Sequence, residues 1–327
     1  MGRRGGAGHR RVTHHASVES NQVIHPALTV GSHTFDWGAQ TYVIGILNVT
    51  PDSFSGDGLA VGDHWLDRMV ALAEDHVAAG AHILDVGGES TRPGSHPIPV
   101  EEELRRTIPA VRALAARVSV PISIDTYKAE VARQAIAEGA TILNDVWGFR
   151  RDDDLARVAA ESGVAVVMMH NRSRPDDAAQ EARLGGRYVG VEYRELLGDI
   201  KRELTESIEL ALRAGVKDER LIVDPGIGFG KTVDQNLELV DRLHELTELG
   251  YPILVGPSRK SFLGYTLNLA PDKRIEGTAA AVTLCIDRGA DIVRVHDVAQ
   301  MARVARIADA IVRRPKQTGP SRGRPNP

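Results

Sequence analysis

The sequence predicts an α/β fold closed as a single (β/α)8 TIM barrel, with a short N-terminal β-hairpin and disordered tails at both ends. Three observations carry this reading. One phrase recurs: Gly80-Ala81-His82-Ile83-Leu84 before Asp85, Gly139-Ala140-Thr141-Ile142-Leu143 before Asn144, and Gly289-Ala290-Asp291-Ile292-Val293 before Arg294. Strand and helix patterns alternate eight times from residue 42 onward. A polar residue closes most of the apolar runs. Each recurrent phrase reads as helix stop, tight turn, buried strand and polar end. Glycine takes the left-handed position just past a helix without a Cβ penalty, and an Ile/Leu/Val run suits a strand covered on both faces. A polar side chain at the end of such a strand is costly unless it hydrogen-bonds or works.

Along the chain, residues 1–22 are rich in Arg, Gly and His without periodicity and predict a mobile tail. LTVGSHTFDWG, near 28–38, predicts a hairpin turning at Gly31-Ser32 and plugging the lower mouth of the barrel. Strands are expected at 42–48, 82–86, 120–125, 141–146, 164–169, 220–224, 252–256 and 291–296. Amphipathic helices are expected at 63–79, 101–117, 127–138, 152–162, 234–249 and 275–288. The charged stretch 171–200 reads as a loop with a helical insertion or as a long helix. Residues 315–327, rich in Pro, Gly and Arg, predict a second tail, which leaves 23–314 as one barrel domain. An open doubly wound sheet would carry a phosphate fingerprint after its first strand, and NVTPDSFSGDG is not one.

Bulk composition narrows the function. With 40 Lys and Arg against 44 Asp and Glu, the net charge of −4 gives no basic field, so a nucleic-acid partner is not expected. No apolar run approaches the roughly 18 residues that span a bilayer, so no membrane partner is expected. The start of the chain lacks a signal peptide's apolar centre, which makes the cytoplasm the default location. The one cysteine, Cys285, lies in an Ala/Val/Leu-rich helical stretch and reads as a small core hydrophobe.

In a (β/α)8 barrel the active site forms at the carboxyl ends of the strands. Those positions hold Asn48, Asp85, Asp125, Asn144, Met169 with His170, Asp224, Gly256, and Arg294 with His296. Carboxylates, carboxamides and cations together suit a ligand with hydrogen-bond donors at one end and negative charge at the other. Single residues such as Asp85 can equally brace turns, and His170 reads as structural. Three loops add chemistry. Pro51–Gly58 holds Phe54 and Asp57 among glycines, as a flexible lid would. Gly87–Gly94 presents Thr91, Arg92 and Pro93 as an anion clamp, and Gly256–Ser261 follows strand seven. The Gly-Lys-Thr at 230–232 is not a phosphate loop, because Pro225 stands where that motif needs glycine. It reads instead as the end of a Gly-rich turn that lays Phe229 against a ligand.

NVTPDSFSGDG, DVGGESTRPG, SIDT, LNDVWG, MMHNR, DPGIGFGKT, GPSRKSFLG, RIEGTAAA and VRVHDV, in that order from about 42 to 300, closely resemble the dihydropteroate synthases. These are pterin-binding barrel enzymes of folate biosynthesis. The resemblance implies a transferase that joins 6-hydroxymethyl-7,8-dihydropterin pyrophosphate to p-aminobenzoate and releases pyrophosphate. It implies a pterin pocket of Asp125, Asn144, Met169, Asp224, Gly256 and Lys260. A pyrophosphate site of Asn48, Thr91, Arg92, Arg294 and His296 would follow, with Mg2+ contacting Asn48. The p-aminobenzoate pocket, where sulfonamides compete, would be Phe54, Pro93, Phe229, Lys260 and Ser261. Asp125, Lys260, Arg294 and His296 would be catalytic, and the partner a second copy in a homodimer. The family lid reads SFSDGG, whereas this chain has Ser53-Phe54-Ser55-Gly56-Asp57-Gly58, which moves the lid aspartate's role to Asp57. Two other readings stand beside this one: a methyltetrahydrofolate:corrinoid methyltransferase, and a catalytically silent pterin-binding paralogue.

Overall fold

The computed structural model describes residues 25–50 and 64–314. The expected tails and the lid residues Phe54 and Asp57 lie outside the described residues. The chain opens on an antiparallel hairpin, β1 (Leu28–Val30) and β2 (His33–Phe35). Gly31 makes its turn at φ 58°, a left-handed conformation that glycine reaches without a Cβ clash. The barrel strands begin with β3 (Tyr42–Asn48), β4 (Ile83–Gly87), β5 (Ile122–Asp125), β6 (Ile142–Asp145) and β7 (Ala165–Met169). A two-residue hairpin, β8 (Ala178–Ala179) with β9 (Arg187–Tyr188), interrupts them before β10 (Leu221–Asp224), β11 (Leu254–Val255) and β12 (Ile292–Val295). The eight barrel strands run parallel in the order β10-β7-β6-β5-β4-β3-β12-β11, and a bridge from Val223 to Ile253 closes the ring.

Side chains alternate between the two faces of a strand, and the apolar clusters show which parity points inward. Tyr42, Ile44, Ile83, Ile142, Val167, Ile222, Leu254 and Ile292 form one cluster inside the barrel, and Leu28, Val30, Phe35 and Trp37 cap it from below. Phe35 stacks on Trp37 at 5.8 Å and meets Tyr42 edge-on at 4.9 Å, so the hairpin plugs the lower mouth as expected. Burying side chains of this size stabilises by about 2 kcal/mol each. The opposite parity, including Val43, Leu84, Leu143, Val166, Val223 and Val293, belongs to the cluster shared with the surrounding helices. Those helices are α1 (Trp65–Ala78), α2 (Val100–Ala115), α3 (Ala129–Ala137), α4 (Leu155–Ser162), α5 (Leu196–Ala214), α6 (Val233–Asp241), α7 (Ser261–Leu267), α8 (Ile275–Asp287) and α9 (Val298–Val312). Gly80, Gly139 and Gly289 take φ of 105°, 116° and 98°, which explains the repeated phrase as a helix stop.

Two elements depart from expectation. The amphipathic stretch 234–249 is not one helix: α6 ends at Asp241 and Leu243–Leu249 tightens into a 3-10 segment. Periodicity near three and a half residues does not separate these two windings. The stretch 171–200 holds the β8–β9 hairpin, which neither alternative contained, before the 19-residue α5 begins at Leu196. Among the described residues, no helix is long and apolar enough to cross a membrane. Cys285 is fully buried on α8, and burial pushes its thiol up to about 12, in line with a core role.

Candidate active site

The inward parity brings Asn48, Asp85, Asp125, Asn144, Met169, Asp224 and Arg294 to the upper end of one barrel interior. Register fixes their neighbours, with Gly87 beside Asp125 and Asp125 beside Asn144. Arg294 is the hub. Its Nε donates to Asp85 Oδ2 at 2.6 Å and its Nη2 to Asp125 Oδ2 at 2.7 Å. A guanidinium has five N–H bonds, so three remain for a ligand. Asn144 Nδ2 donates to the same Asp85 oxygen at 3.1 Å, which leaves the Asn144 Oδ1 as an acceptor. Asn48 stands close by: a Cβ built on Gly87 would lie 3.6 Å from Asp125 Oδ2 and 3.9 Å from Asn48 Oδ1.

Across the barrel, Asp224 closes β10 and its Oδ1 accepts the Gly226 N–H at 2.7 Å. The turn after it needs its glycines. Gly226 has φ 71°, and a Cβ there would come within 2.0 Å of the His170 carbonyl oxygen. Gly228 has φ 83° and would meet Lys260 Cδ at 2.8 Å, because the Lys260 stem lies along the turn. Lys260 Nζ sits 4.0 Å from the centre of the Phe229 ring, a cation–π contact. Phe229 also packs on Val146 and Met169, so Lys260 covers one face of the ring expected to meet a ligand.

The expected anion end is built from loops. Thr91, Arg92 and Pro93 follow β4 on a loop braced by Glu89, which accepts from Tyr127 Oη (3.0 Å), Lys128 Nζ (2.7 Å) and the Ile98 N–H (2.9 Å). The β8–β9 hairpin holds the same loop through Gln180 Nε2 and the Pro93 carbonyl, 2.6 Å apart. His296, just past β12, shares a 3.0 Å hydrogen bond between Nδ1 and Ser258 Oγ, which ties β12 to the loop after β11. Ser261, partly exposed, starts α7 directly after Lys260.

Burial without full pairing shifts three of these groups. It pushes the Asp125 carboxyl up to about 7, helped by Asp85 and opposed by Arg294. Burial raises Asp224 to about 6 against the Gly226 N–H and Lys260. Lys260 is pushed down to about 7 by burial and by the Arg294 charge. Two carboxyls and a lysine with pKa values this close to neutrality, within one cluster, mark a site built for charge chemistry.

Sequence reasoning placed Asp85 at a strand end but gave it no role, although it orients both Arg294 and Asn144. The parity of β4 carries that signal, because Asp85 shares the inward face with Ile83. Ser258 and Lys231 were not expected. Lys231 is buried at the foot of the Gly-rich turn, bonded to His170 and two turn carbonyls. His170 is buried, as expected of a structural residue.

A closed barrel with shifted carboxylates, a hub arginine and a lysine at the carboxyl ends of its strands is an enzyme of the (β/α)8 class. The family model described as pterin binding enzyme matches residues 44–296. Dihydropteroate synthases of Clostridium beijerinckii and Bacillus subtilis are 48% and 44% identical to this chain; the alignments cover 88% and 90% of it and 100% and 96% of theirs. The crystal structure of the Clostridium difficile dihydropteroate synthase in the presence of pteroic acid has a TM-score of 0.78 at 47% identity, covering 86% of this chain and 100% of its own. That of Xanthomonas albilineans with 4-aminobenzoic acid scores 0.77 at 37% identity, covering 89% and 100%. The chain belongs to the pterin-binding enzymes, in the family of the dihydropteroate synthases.

Proposed function

We propose that the protein condenses 6-hydroxymethyl-7,8-dihydropterin pyrophosphate with p-aminobenzoate to give 7,8-dihydropteroate and pyrophosphate. The observation that carries this reading is the convergence of Asn144, Asp224, Lys260 and Arg294 on one barrel mouth. Asp85 takes one Asn144 N–H and Gly226 binds one Asp224 oxygen, which leaves Asn144 Oδ1 and Asp224 Oδ2 as acceptors beside the second Asn144 N–H. That pair suits the two adjacent N–H donors of an aminopyrimidine and rejects rings that lack them. Met169 and Gly256 complete the pterin pocket. Thr91, Arg92, Arg294, His296 and Asn48 hold the pyrophosphate. Phe54, Pro93, Phe229, Lys260 and Ser261 form the p-aminobenzoate pocket and Asp57 is the lid residue, Phe54 and Asp57 lying outside the described residues.

The chemistry follows from charge. The methylene C–O bond breaks with its electron pair leaving on the pyrophosphate, and the aniline lone pair forms the C–N bond before the nitrogen sheds a proton. Positive charge gathers on the pterin methylene as the bond opens, and Asp125 is placed to stabilise it. Arg294, with three uncommitted N–H bonds, and His296 stabilise the leaving group. The Asn48 carboxamide oxygen would contact Mg2+, which keeps several waters and needs only one or two protein oxygens. Mg2+ bound there would neutralise pyrophosphate charge.

Purified protein with both substrates and Mg2+ is expected to release one pyrophosphate per pteroate formed, and more slowly when Mg2+ is chelated. No release at saturating substrate would overturn the reading in favour of a silent paralogue. Pterin affinity should depend on pH. Asp224 has a raised pKa, so its accepting carboxylate is present above about 6 and lost as pH falls through that value. Calorimetric titration with a pterin should therefore show affinity falling below about pH 6, and a flat profile would remove Asp224 from the pocket. A homodimer is proposed through α8 and α9, whose outer faces expose Leu284, Ile307 and Ile311; the solution mass is the check. A cytoplasmic site of action agrees with a lone, buried cysteine.

A further inference from the structure

We infer that Lys231 is a positioning residue for the arylamine site: its buried amine clamps the Gly-rich turn after β10 and so holds Phe229 in place. The inference rests on the function proposed above. Lys231 is 2% exposed. Its Nζ donates to the Gly226 and Phe229 carbonyls, both at 3.0 Å, and lies 3.1 Å from His170 Nδ1. Those contacts use all three N–H bonds of an ammonium only if Nδ1 accepts, which places the imidazole proton on Nε2. Nε2 lies 3.1 Å from Glu203 Oε2 on α5. The other Glu203 oxygen pairs with Arg172. Lys231, His170 and Glu203 stand in line; burial pushes the Lys231 amine down to about 7 against the pull of Asp224 and Glu203, and Glu203 pairs with Arg150 as well. Burial pushes the His170 ring down to about 3, so it is the neutral member of the three.

The turn depends on this clamp most at the Phe229 carbonyl. Asp224 is held by β7 through its pairing with Met169 and by its carbonyl, which accepts the His170 N–H at 2.8 Å. Asn236 Oδ1 accepts the Gly228 N–H at 2.6 Å, and Tyr193 Oη donates to the Gly230 carbonyl at 2.8 Å. The carbonyl of Phe229 itself is held by Lys231. Removing the amine takes the donor from the Phe229 carbonyl, while the Gly226 carbonyl keeps the Phe229 N–H at 3.0 Å. It so loosens the peptide that carries the ring under Lys260 more than Asp224, which the β7 pairing and the His170 N–H still hold. Loss of Lys231 therefore acts on one substrate more than on the other, which a general loss of stability would not do.

The test is Lys231→Met in the full chain, with KM measured for both substrates, pterin affinity measured by calorimetry, and amide hydrogen exchange followed over 226–230. KM for p-aminobenzoate should rise roughly tenfold or more, since a displacement near 1 Å can cost up to 100-fold. Pterin affinity should change by less than about threefold, and exchange at 226–230 should accelerate. Combined with Phe229→Ala, the substitution should cost nothing beyond Phe229→Ala alone, as expected of groups acting through one ring. Parallel changes for both substrates, additive effects or unchanged exchange each overturn the inference. Should Lys231→Met not fold, Glu203→Gln, which removes the charge facing His170 Nε2, should give the same split; an even effect on both substrates overturns it. A wild-type chain inert toward both substrates sinks the function reading, and the exchange result then decides the clamp by itself.

Discussion

Asp125→Ala is expected to lower turnover by roughly 100- to 1,000-fold with little loss of fold stability, the cost of removing one preorganised charge from a water-poor site. The carboxylate ends β5 between Asn48 and Arg294, where positive charge would develop on the pterin methylene. The stability half follows from burial, which raises Asp125 to about 7, so ionising this group opposes folding at neutral pH. Arg294 does not become an orphan in the variant, because Asp85 still accepts its Nε at 2.6 Å. Steady-state kinetics with a thermal melt separate the two effects. Near-wild-type turnover would remove Asp125 from the chemistry.

Arg294→Ala should damage activity and stability together. Activity falls because the pyrophosphate loses its main cation, which should raise KM for the pterin pyrophosphate by more than about tenfold. Stability falls because Asp85, completely buried, loses its guanidinium partner; breaking a buried pair in this way costs about 3–5 kcal/mol. The two losses are separable. Adding Asp85→Asn removes the orphaned charge and should recover much of the melting temperature while leaving activity low. If the double variant melts no higher than Arg294→Ala, the orphaned carboxylate is not the cause. If Arg294→Ala keeps its KM, the anion site lies elsewhere.

Much of the barrel was legible because β/α alternation is written in local chemistry. Glycine at 80, 139 and 289 stops helices for a backbone reason, and the Ile/Leu/Val runs behind them can only be buried strands. Asp125, Asn144, Asp224 and Arg294 were legible as site residues for a related reason: each ends such a run, where a polar group needs a partner. Asp85 was harder. It sits inside its strand, and only the inward parity shared with Ile83 separates a site residue from a turn brace. Lys231 looked like part of a nucleotide motif, and nothing local told that its amine turns inward to His170, 61 residues away. Ser258 has no sequence signal either, since its partner His296 lies just past another strand, 38 residues away.

Taken by itself, the sequence determined the number and chain order of the barrel strands, the residue types at their ends and the plug formed by the first hairpin. Each of these follows from the hydrophobic period, from glycine's access to left-handed backbone, or from the cost of leaving a polar group buried. Only the tertiary structure decided which oxygen faces which donor. Arg294 bridges Asp85 and Asp125 because closure of the ring sets β12 beside β3, one strand from β4. The raised carboxyls and the depressed lysine arise from the same closure, because it draws water away from charges that lie far apart along the chain.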